Sequence, residues 1–278
     1  MLVSGAISNG SLLSTQEKNI FMDFGISGRR ALVTGAGRGL GKAIAQSLAK
    51  EGVNVVCVSR TGSDINELIK SIGGEGHGHL GIAMDLMPEG APAELLTKLK
   101  DFGPLDIVVH NAGGTLDISD PFCSIQDWRK VYRFNFELAV ELNSMILPEM
   151  QKRKWGRVCH ISSISAMENH GPVPYCAMKA ALTAYTRSMG GVVAPDGVVI
   201  TAVLPGAVYT EGGFWDKSSR ERPEHVHKYL TERQRIGRFG RPEEIGDFVA
   251  YLCSERASFN TGSIVPVDGG QGRGYFGQ

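Results

Sequence analysis

The sequence predicts one doubly wound α/β domain, a parallel sheet with helices on both faces. Three observations predict it. Short apolar runs, several rich in β-branched residues, alternate with stretches of helical periodicity. The runs are continuous, as strands buried on both faces require. A glycine-rich turn, Thr34 to Gly41, ends the first run and opens the first helix.

The elements follow in chain order. Ala31-Leu32-Val33 is the first strand, and Lys42 to Lys50 carries apolar residues at helical spacing. Further strands are predicted at Val53 to Val58, Gly81 to Met84, Ile107 to Val109, Arg157 to Ile161, Val198 to Val203 and Ser263 to Val267. Helices are predicted over 91–100, 127–150, 174–190 and 242–253. In such a sheet ligands bind beyond the C-terminal ends of the strands. Residues 1–21 are rich in Ser, Gly and Asn and show no sustained period, so a flexible extension is expected there, with 22–278 as the single folded domain. Met22-Asp23-Phe24-Gly25 leads straight into the first strand, which makes Met22 an alternative start.

Composition narrows the function classes. The 278 residues carry 29 basic and 29 acidic side chains, so no basic excess points to nucleic acid or an anionic membrane. No apolar run approaches the roughly 18 residues of a membrane span, and no secretory signal opens the chain. Cys57, Cys123, Cys159, Cys176 and Cys253 are scattered, without a C-x-x-C pair. That argues against a disulfide framework and against zinc, and favours reduced thiols in the cytoplasm.

The glycine loop is suited to a phosphate. Gly35, Gly37, Gly39 and Gly41 let backbone N–H groups approach a diphosphate at the positive end of the first helix. The spacing departs from G-x-G-x-x-G, so the loop alone is a weak signal. The second strand ends Val58-Ser59-Arg60-Thr61, where folds that take NAD place a carboxylate for the ribose hydroxyls. Arg60, with Arg38 inside the loop, suits the extra phosphate of NADP. NADP(H) is therefore the expected cofactor.

Tyr175 and Lys179 stand at i and i+4 and share one face of a predicted helix. A free phenol titrates near 10, and a neighbouring ammonium lowers that value toward useful acid–base work. Ser162-Ser163 end the preceding strand at the ligand-binding edge, where a hydroxyl can bond a substrate oxygen. Asn135 is a helical polar residue between Phe134 and Phe136.

In this order, the residues resemble the short-chain dehydrogenase/reductase family over about residues 26–271. Thr34-Gly35-x-x-x-Gly39-Leu40-Gly41 looks like its cofactor loop, and Asp85-Leu86 like its adenine-contacting position. His110-Asn111-Ala112-Gly113 is similar to its N-N-A-G, with His110 in place of the first Asn. Asn135, Ser163, Tyr175 and Lys179 match its catalytic tetrad. Pro205-Gly206-Ala207-Val208-Tyr209-Thr210 matches the segment that contacts the nicotinamide, and Gly240 to Glu244 and Val267 to Gly270 match its late signatures.

The resemblance implies that Tyr175 is the general acid in reduction and the base in oxidation. Lys179 would bind the nicotinamide ribose and depress the Tyr175 pKa, Ser163 would polarise the carbonyl, and Asn135 would hold a relay water. It also implies a substrate lid at about 211–238, carrying Trp215, His225, His227 and Tyr229, and a homo-oligomer, tetramer or dimer, paired through helices around 127–150 and 174–190. Glu168 and His170 fall where family members line the substrate pocket, which suggests a hydroxylated substrate.

The overall pattern is closest to 3-oxoacyl thioester reductases. A carrier-borne substrate needs basic residues beside the cleft, for which Arg153 and Lys154 are the candidates. A sugar, polyol or other small hydroxy-ketone is the alternative, and a catalytically silent NADPH-binding regulator is the alternative of another class. Gly190-Gly191, near the end of the Tyr–Lys helix, has no evident reason in the sequence.

Overall fold

The structure is a computed structural model that describes residues 22–168 and 171–273. The expected extension over 1–21, and His170, lie outside the described residues. Seven strands form one sheet: β1 (Arg30–Thr34), β2 (Asn54–Ser59), β3 (Leu80–Ala83), β4 (Ile107–His110), β5 (Gly156–Ile161), β6 (Val198–Pro205) and β7 (Ile264–Val267). All pairs are parallel, in the order β3-β2-β1-β4-β5-β6-β7. Chain order reverses between β1 and β4, which opens a crevice above their C-terminal ends.

The period of two splits the strand residues between two cores. Ala31 and Val33 face α1 (Gly39–Lys50), α2 (Gly62–Ser71) and α9 (Pro242–Leu252), through Ile44, Leu48, Leu68 and Val249. Leu32 faces the opposite way with Val56 and Val108, against α3 (Ala91–Lys98), α5 (Leu138–Lys152) and α6 (Val173–Val193), through Leu95, Leu142 and Ile146. Each such side chain taken fully out of water contributes roughly 1.5–3 kcal/mol. This double burial is why the strands read as unbroken apolar runs.

The structure differs from the expectation in four places. The helix predicted over 127–150 is α4 (Ile125–Tyr132), a π-helical turn (Arg133–Glu137) and then α5. α4 is capped by Ser124, whose Oγ accepts the Asp127 N–H at 3.2 Å. α2 was not anticipated, and residues 211–238 contain α7 (Phe214–Glu221) and α8 (Pro223–Glu232). Gly190 has a steric reason that only the fold reveals: a Cβ there would lie 2.6 Å from the Gly262 backbone nitrogen, whereas Gly191 faces open space.

Candidate active site

A cavity of about 460 Å³ runs across the crevice at the C-terminal ends of β1, β2, β4 and β5. One end is walled by the glycine loop, Ser59, Arg60 and Asp64, the other by Gly113, Ile161, Ser162, Tyr175, Lys179 and Thr210. Its size suits a cofactor or an elongated small molecule.

The loop is built by tying β1 to β4. Thr34 Oγ1 accepts the Asn111 and Ala112 N–H groups, both at 3.1 Å, and Asn111 Nδ2 donates to Thr34 O at 3.1 Å and Gly35 O at 3.0 Å. Gly41 is confined to glycine because a Cβ would meet Gly35 O at 2.2 Å. Leu40 also lines this end, and so do Asp85 and the buried Leu86 beyond β3.

Three features fit this end to a dinucleotide with an extra phosphate. The side chains of Arg38 and Arg60 are exposed and make no hydrogen bond or ion pair among the described residues. Ser59 Oγ is buried with no hydrogen-bond partner, an unusual state for a hydroxyl inside a protein. It lies where Arg60 and the loop converge. The sequence did not flag Asp64, which the first turn of α2 brings into the same wall.

At the other end Lys179 is buried, and its Nζ donates to Ile161 O at 2.8 Å. Ser162 Oγ donates to Lys179 O at 3.1 Å, so β5 and α6 are linked twice. Burial pushes the ammonium down to about 8. Tyr175 is half-buried beside Ser163, whose Oγ accepts the Ser165 N–H at 3.1 Å. The expected depression of the Tyr175 phenol is not met. Burial drives it up to about 12, and the nearby Ser163 hydroxyl only partly opposes that. The physical reason is geometric: the ammonium is held by Ile161 O and stands 5.6 Å from the ring centroid.

Asn135 sits in the π-helical turn, a feature common at functional sites. Its side chain is committed to protein. Nδ2 donates to Gly114 O at 2.8 Å and Val131 O at 2.9 Å, and Oδ1 accepts the Gly114 N–H at 2.9 Å. It therefore clamps the loop after β4. Gly113 passes between: a Cβ there would be 2.9 Å from Asn135 Oδ1 and 3.0 Å from Lys179 Nζ. Next in the loop, Leu116 and Asp117 take left-handed backbone conformations, φ 54° and 58°, at a cost of roughly 1–2 kcal/mol each.

Pro205, Gly206 and Val208 do not line the cavity. Pro205 ends β6, and Gly206 and Val208 follow it and carry Thr210 to the cavity, with Gly206 N–H donating to Val267 O at 3.1 Å. The segment beyond Thr210 is fastened by Asp216, which the sequence gave no reason to single out. It accepts from Tyr209 Oη at 2.7 Å, Gly212 N–H at 2.9 Å and Arg220 at 2.9 Å. Trp215 packs on Tyr229 and Phe239, with centroids 4.3 and 4.9 Å apart. His225 and His227 are exposed. Glu168 accepts the Arg273 N–H, and Gln271 Nε2 donates to Tyr229 Oη, so the C-terminal stretch closes against both.

Arg153 and Lys154 are not at the cleft. Arg153 is held by Asp106 and Leu105 O, and Lys154 by Asp196, at the N-terminal ends of β4 and β6. Among the described residues no group of three His, Cys, Asp or Glu could hold a metal ion, and no helix is long and apolar enough to cross a membrane. All five cysteines are unpaired.

A family model described as short chain dehydrogenase matches residues 29–220. The 3-oxoacyl-[acyl-carrier-protein] reductase FabG of Aquifex aeolicus is 33% identical over 255 residues, covering 90% of this chain and 99% of the relative. The L-xylulose reductase of Cavia porcellus is 33% identical over 255 residues, covering 90% and 98%. Among solved structures, L-sorbose reductase from Gluconobacter frateurii, complexed with NADPH and L-sorbose, aligns with a TM-score of 0.84 at 30% identity, covering 91% of this chain and 100% of that one. A 3-oxoacyl (acyl-carrier-protein) reductase from Agrobacterium tumefaciens with NADP bound aligns with a TM-score of 0.82 at 32% identity, covering 93% and 100%.

Proposed function

The chain belongs to the short-chain dehydrogenase family, and from that premise we propose that it reduces a small, hydroxylated ketone to a secondary alcohol with NADPH, reversibly. It is an oxidoreductase of the C=O/CH–OH pair that uses NADP(H). The observation that carries the cofactor reading is Ser59 Oγ, buried and unpartnered in the cavity that Arg38 and Arg60 also line. On this reading Ser59, Arg60 and Arg38 hold the extra phosphate, and Gly35, Gly39, Leu40 and Gly41 hold the diphosphate. Asp85 and Leu86 flank the adenine, while Asn111, Ala112, Gly113 and Thr210 flank the nicotinamide, with Pro205, Gly206 and Val208 shaping the turn that presents Thr210. Bound there, the reduced nicotinamide supplies the hydride.

Tyr175, Ser163, Lys179 and Asn135 do the rest. With its phenol raised to about 12, Tyr175 carries its proton throughout the neutral range, as a general acid for reduction must. The Ser163 hydroxyl, beside Tyr175, orients and polarises the carbonyl oxygen. Proton transfer leaves a phenolate one helical turn from Lys179, and the ammonium stabilises it on leaving Ile161 O. Asn135 contributes through its clamp on Gly114.

For the substrate, the placement of Arg153 and Lys154 away from the cleft supports a free ketone over a carrier-borne thioester. The 3-oxoacyl reductase relatives support the thioester as second reading. Residues 211–238 act as the lid, fastened at Asp216. The exposed side chains of Phe122, Ile125, Tyr132 and Val173, beside α4 and α6, support a homo-oligomer paired through this face, and a cytoplasmic location goes with the unpaired cysteines. A panel of sugar ketones, polyol-derived ketones and 3-oxoacyl thioesters with NADPH tests the reading. Turnover of hydroxy-ketones is expected. Turnover confined to thioesters selects the second reading, and NADPH binding with no turnover selects a regulator.

A further inference from the structure

The replacement of the family's first Asn by His110 is not explained by the cofactor or by the tetrad. His110 ends β4 with its ring buried and is the register partner of His160 on β5. The two rings stack with centroids 5.0 Å apart and planes 25° from parallel. Two titratable rings packed together inside a core need an account, because each must find its hydrogen bonds without water.

The hydrogen bonds form one chain whose direction is set by counting protons. Thr186 on α6 has a single hydroxyl proton and donates it to Leu182 O at 2.8 Å. Its Oγ1 therefore accepts at the 2.8 Å contact with His160 Nδ1, which must carry a proton. His160 Nε2 is then bare and accepts from Asn143 Nδ2 at 3.1 Å. The other N–H of that amide points at Tyr185 Oη, 3.4 Å away. Asn143 Oδ1 remains to accept from His110 Nε2–H at 2.8 Å. His160 is thus the Nδ1–H tautomer and His110 the Nε2–H tautomer. Burial keeps both rings neutral, His110 down to about 4 and His160 well below its ordinary value.

Each member lies close in sequence to a site residue. His110 precedes Asn111, Ala112 and Gly113. His160 precedes Ile161, whose carbonyl takes Lys179, and then Ser162 and Ser163. Thr186 lies two turns beyond Lys179 on α6, and Asn143 follows the Asn135 turn on α5. Tyr185 packs against Phe136, the neighbour of Asn135, with centroids 5.9 Å apart. An unpaired member would cost about 1–3 kcal/mol, so the chain is a strong spacer between four elements.

We propose that His110, Asn143, His160 and Thr186 are positioning residues, a one-way hydrogen-bonded chain that sets the cofactor-side end of β4 against the helix carrying Tyr175 and Lys179. The proposal rests on the reading of Tyr175 and Lys179 as the proton-transfer pair. A glutamine at position 110 places a donor where Nε2 stands, whereas phenylalanine keeps the ring and removes the donor.

The test combines kinetics with long-range ¹⁵N–¹H spectra of the histidines in the wild-type protein. His110→Phe lowers kcat about tenfold or more while NADPH Kd stays within about threefold, and His110→Gln recovers kcat to within about threefold of wild type. The spectra show the proton on His160 Nδ1 and on His110 Nε2. A folded His110→Phe protein with unchanged kcat, or a glutamine variant as impaired as the phenylalanine one, overturns the proposal. If His110→Phe does not fold, the spectra and His110→Gln decide: a proton on His160 Nε2 refutes the chain. The tautomers are read without turnover, so failure of the Tyr175 reading leaves them unchanged and the two failures are told apart.

Discussion

The two ends of the cavity handle charge in opposite ways. At the phosphate end, Arg38 and Arg60 stand in solvent, uncommitted among the described residues, beside the unpartnered Ser59 hydroxyl. At the catalytic end nearly every polar group is paired, and burial pushes Lys179, Tyr175, His110 and His160 toward their neutral forms. The open end can select a ligand by its charge, because free arginines gain most from an incoming phosphate. The closed end can select only by position, because its hydrogen bonds are already made. Substitutions at the two ends should therefore fail in different ways.

The largest expected effect is at the closed end. Tyr175→Phe lowers kcat by about 10²- to 10⁴-fold, with NADPH affinity nearly unchanged. Steady-state kinetics beside a fluorescence titration of NADPH checks this, and a near-normal kcat removes Tyr175 from the mechanism.

The same end should respond to acid. Unfolded, the ring of His110 titrates near its ordinary 6.5, and in the fold near 4. Between those values the unfolded chain binds more protons, so stability is complete above about 6.5 and declines as pH falls through the window. For His110 the loss reaches about 3 kcal/mol. His160 adds to it in the same direction, and Lys179, whose charge faces His160, reinforces the sign. Urea unfolding from pH 7.5 to 4.5 gives the slope. A wild-type protein whose stability is flat across that range contradicts neutral buried histidines.

Effects at the open end are smaller and cofactor-specific. Arg60→Ala removes one charge-assisted contact of about 1.5–3 kcal/mol, lowering kcat/KM for NADPH roughly 10- to 100-fold while leaving NADH alone. Ser59→Ala removes one hydrogen bond from an uncharged donor to the phosphate and costs about tenfold with NADPH, the low end of that range. Equal losses with both cofactors would mean that these residues hold the fold and not the extra phosphate.

The same contrast explains what the sequence made legible. Strands buried on both faces read as continuous apolar runs, so all seven were placed within one or two residues. The open end was legible too, because Arg60 and the glycine loop are local in sequence. The closed end was legible as motifs but not as interactions. Asn143, His160 and Thr186 meet His110 only after β4, β5, α5 and α6 pack, over separations of 17 to 33 residues between bonded partners. No short-range pattern marks such a meeting. The π-helical turn was hidden for a related reason: Arg133 to Glu137 continues the helical periodicity, and the extra residue per turn shows only in the backbone. The raised Tyr175 phenol depends on burial and on where Lys179 points, neither of which is encoded in a four-residue spacing.

The most direct test of an NADP(H)-dependent ketone reductase is kcat/KM for NADPH and for NADH, measured on the same protein with its best ketone. The expected result is turnover in which NADPH exceeds NADH by about tenfold or more, with the margin shrinking as salt is raised. Comparable values for the two cofactors, or NADPH bound with no ketone reduced, would contradict it.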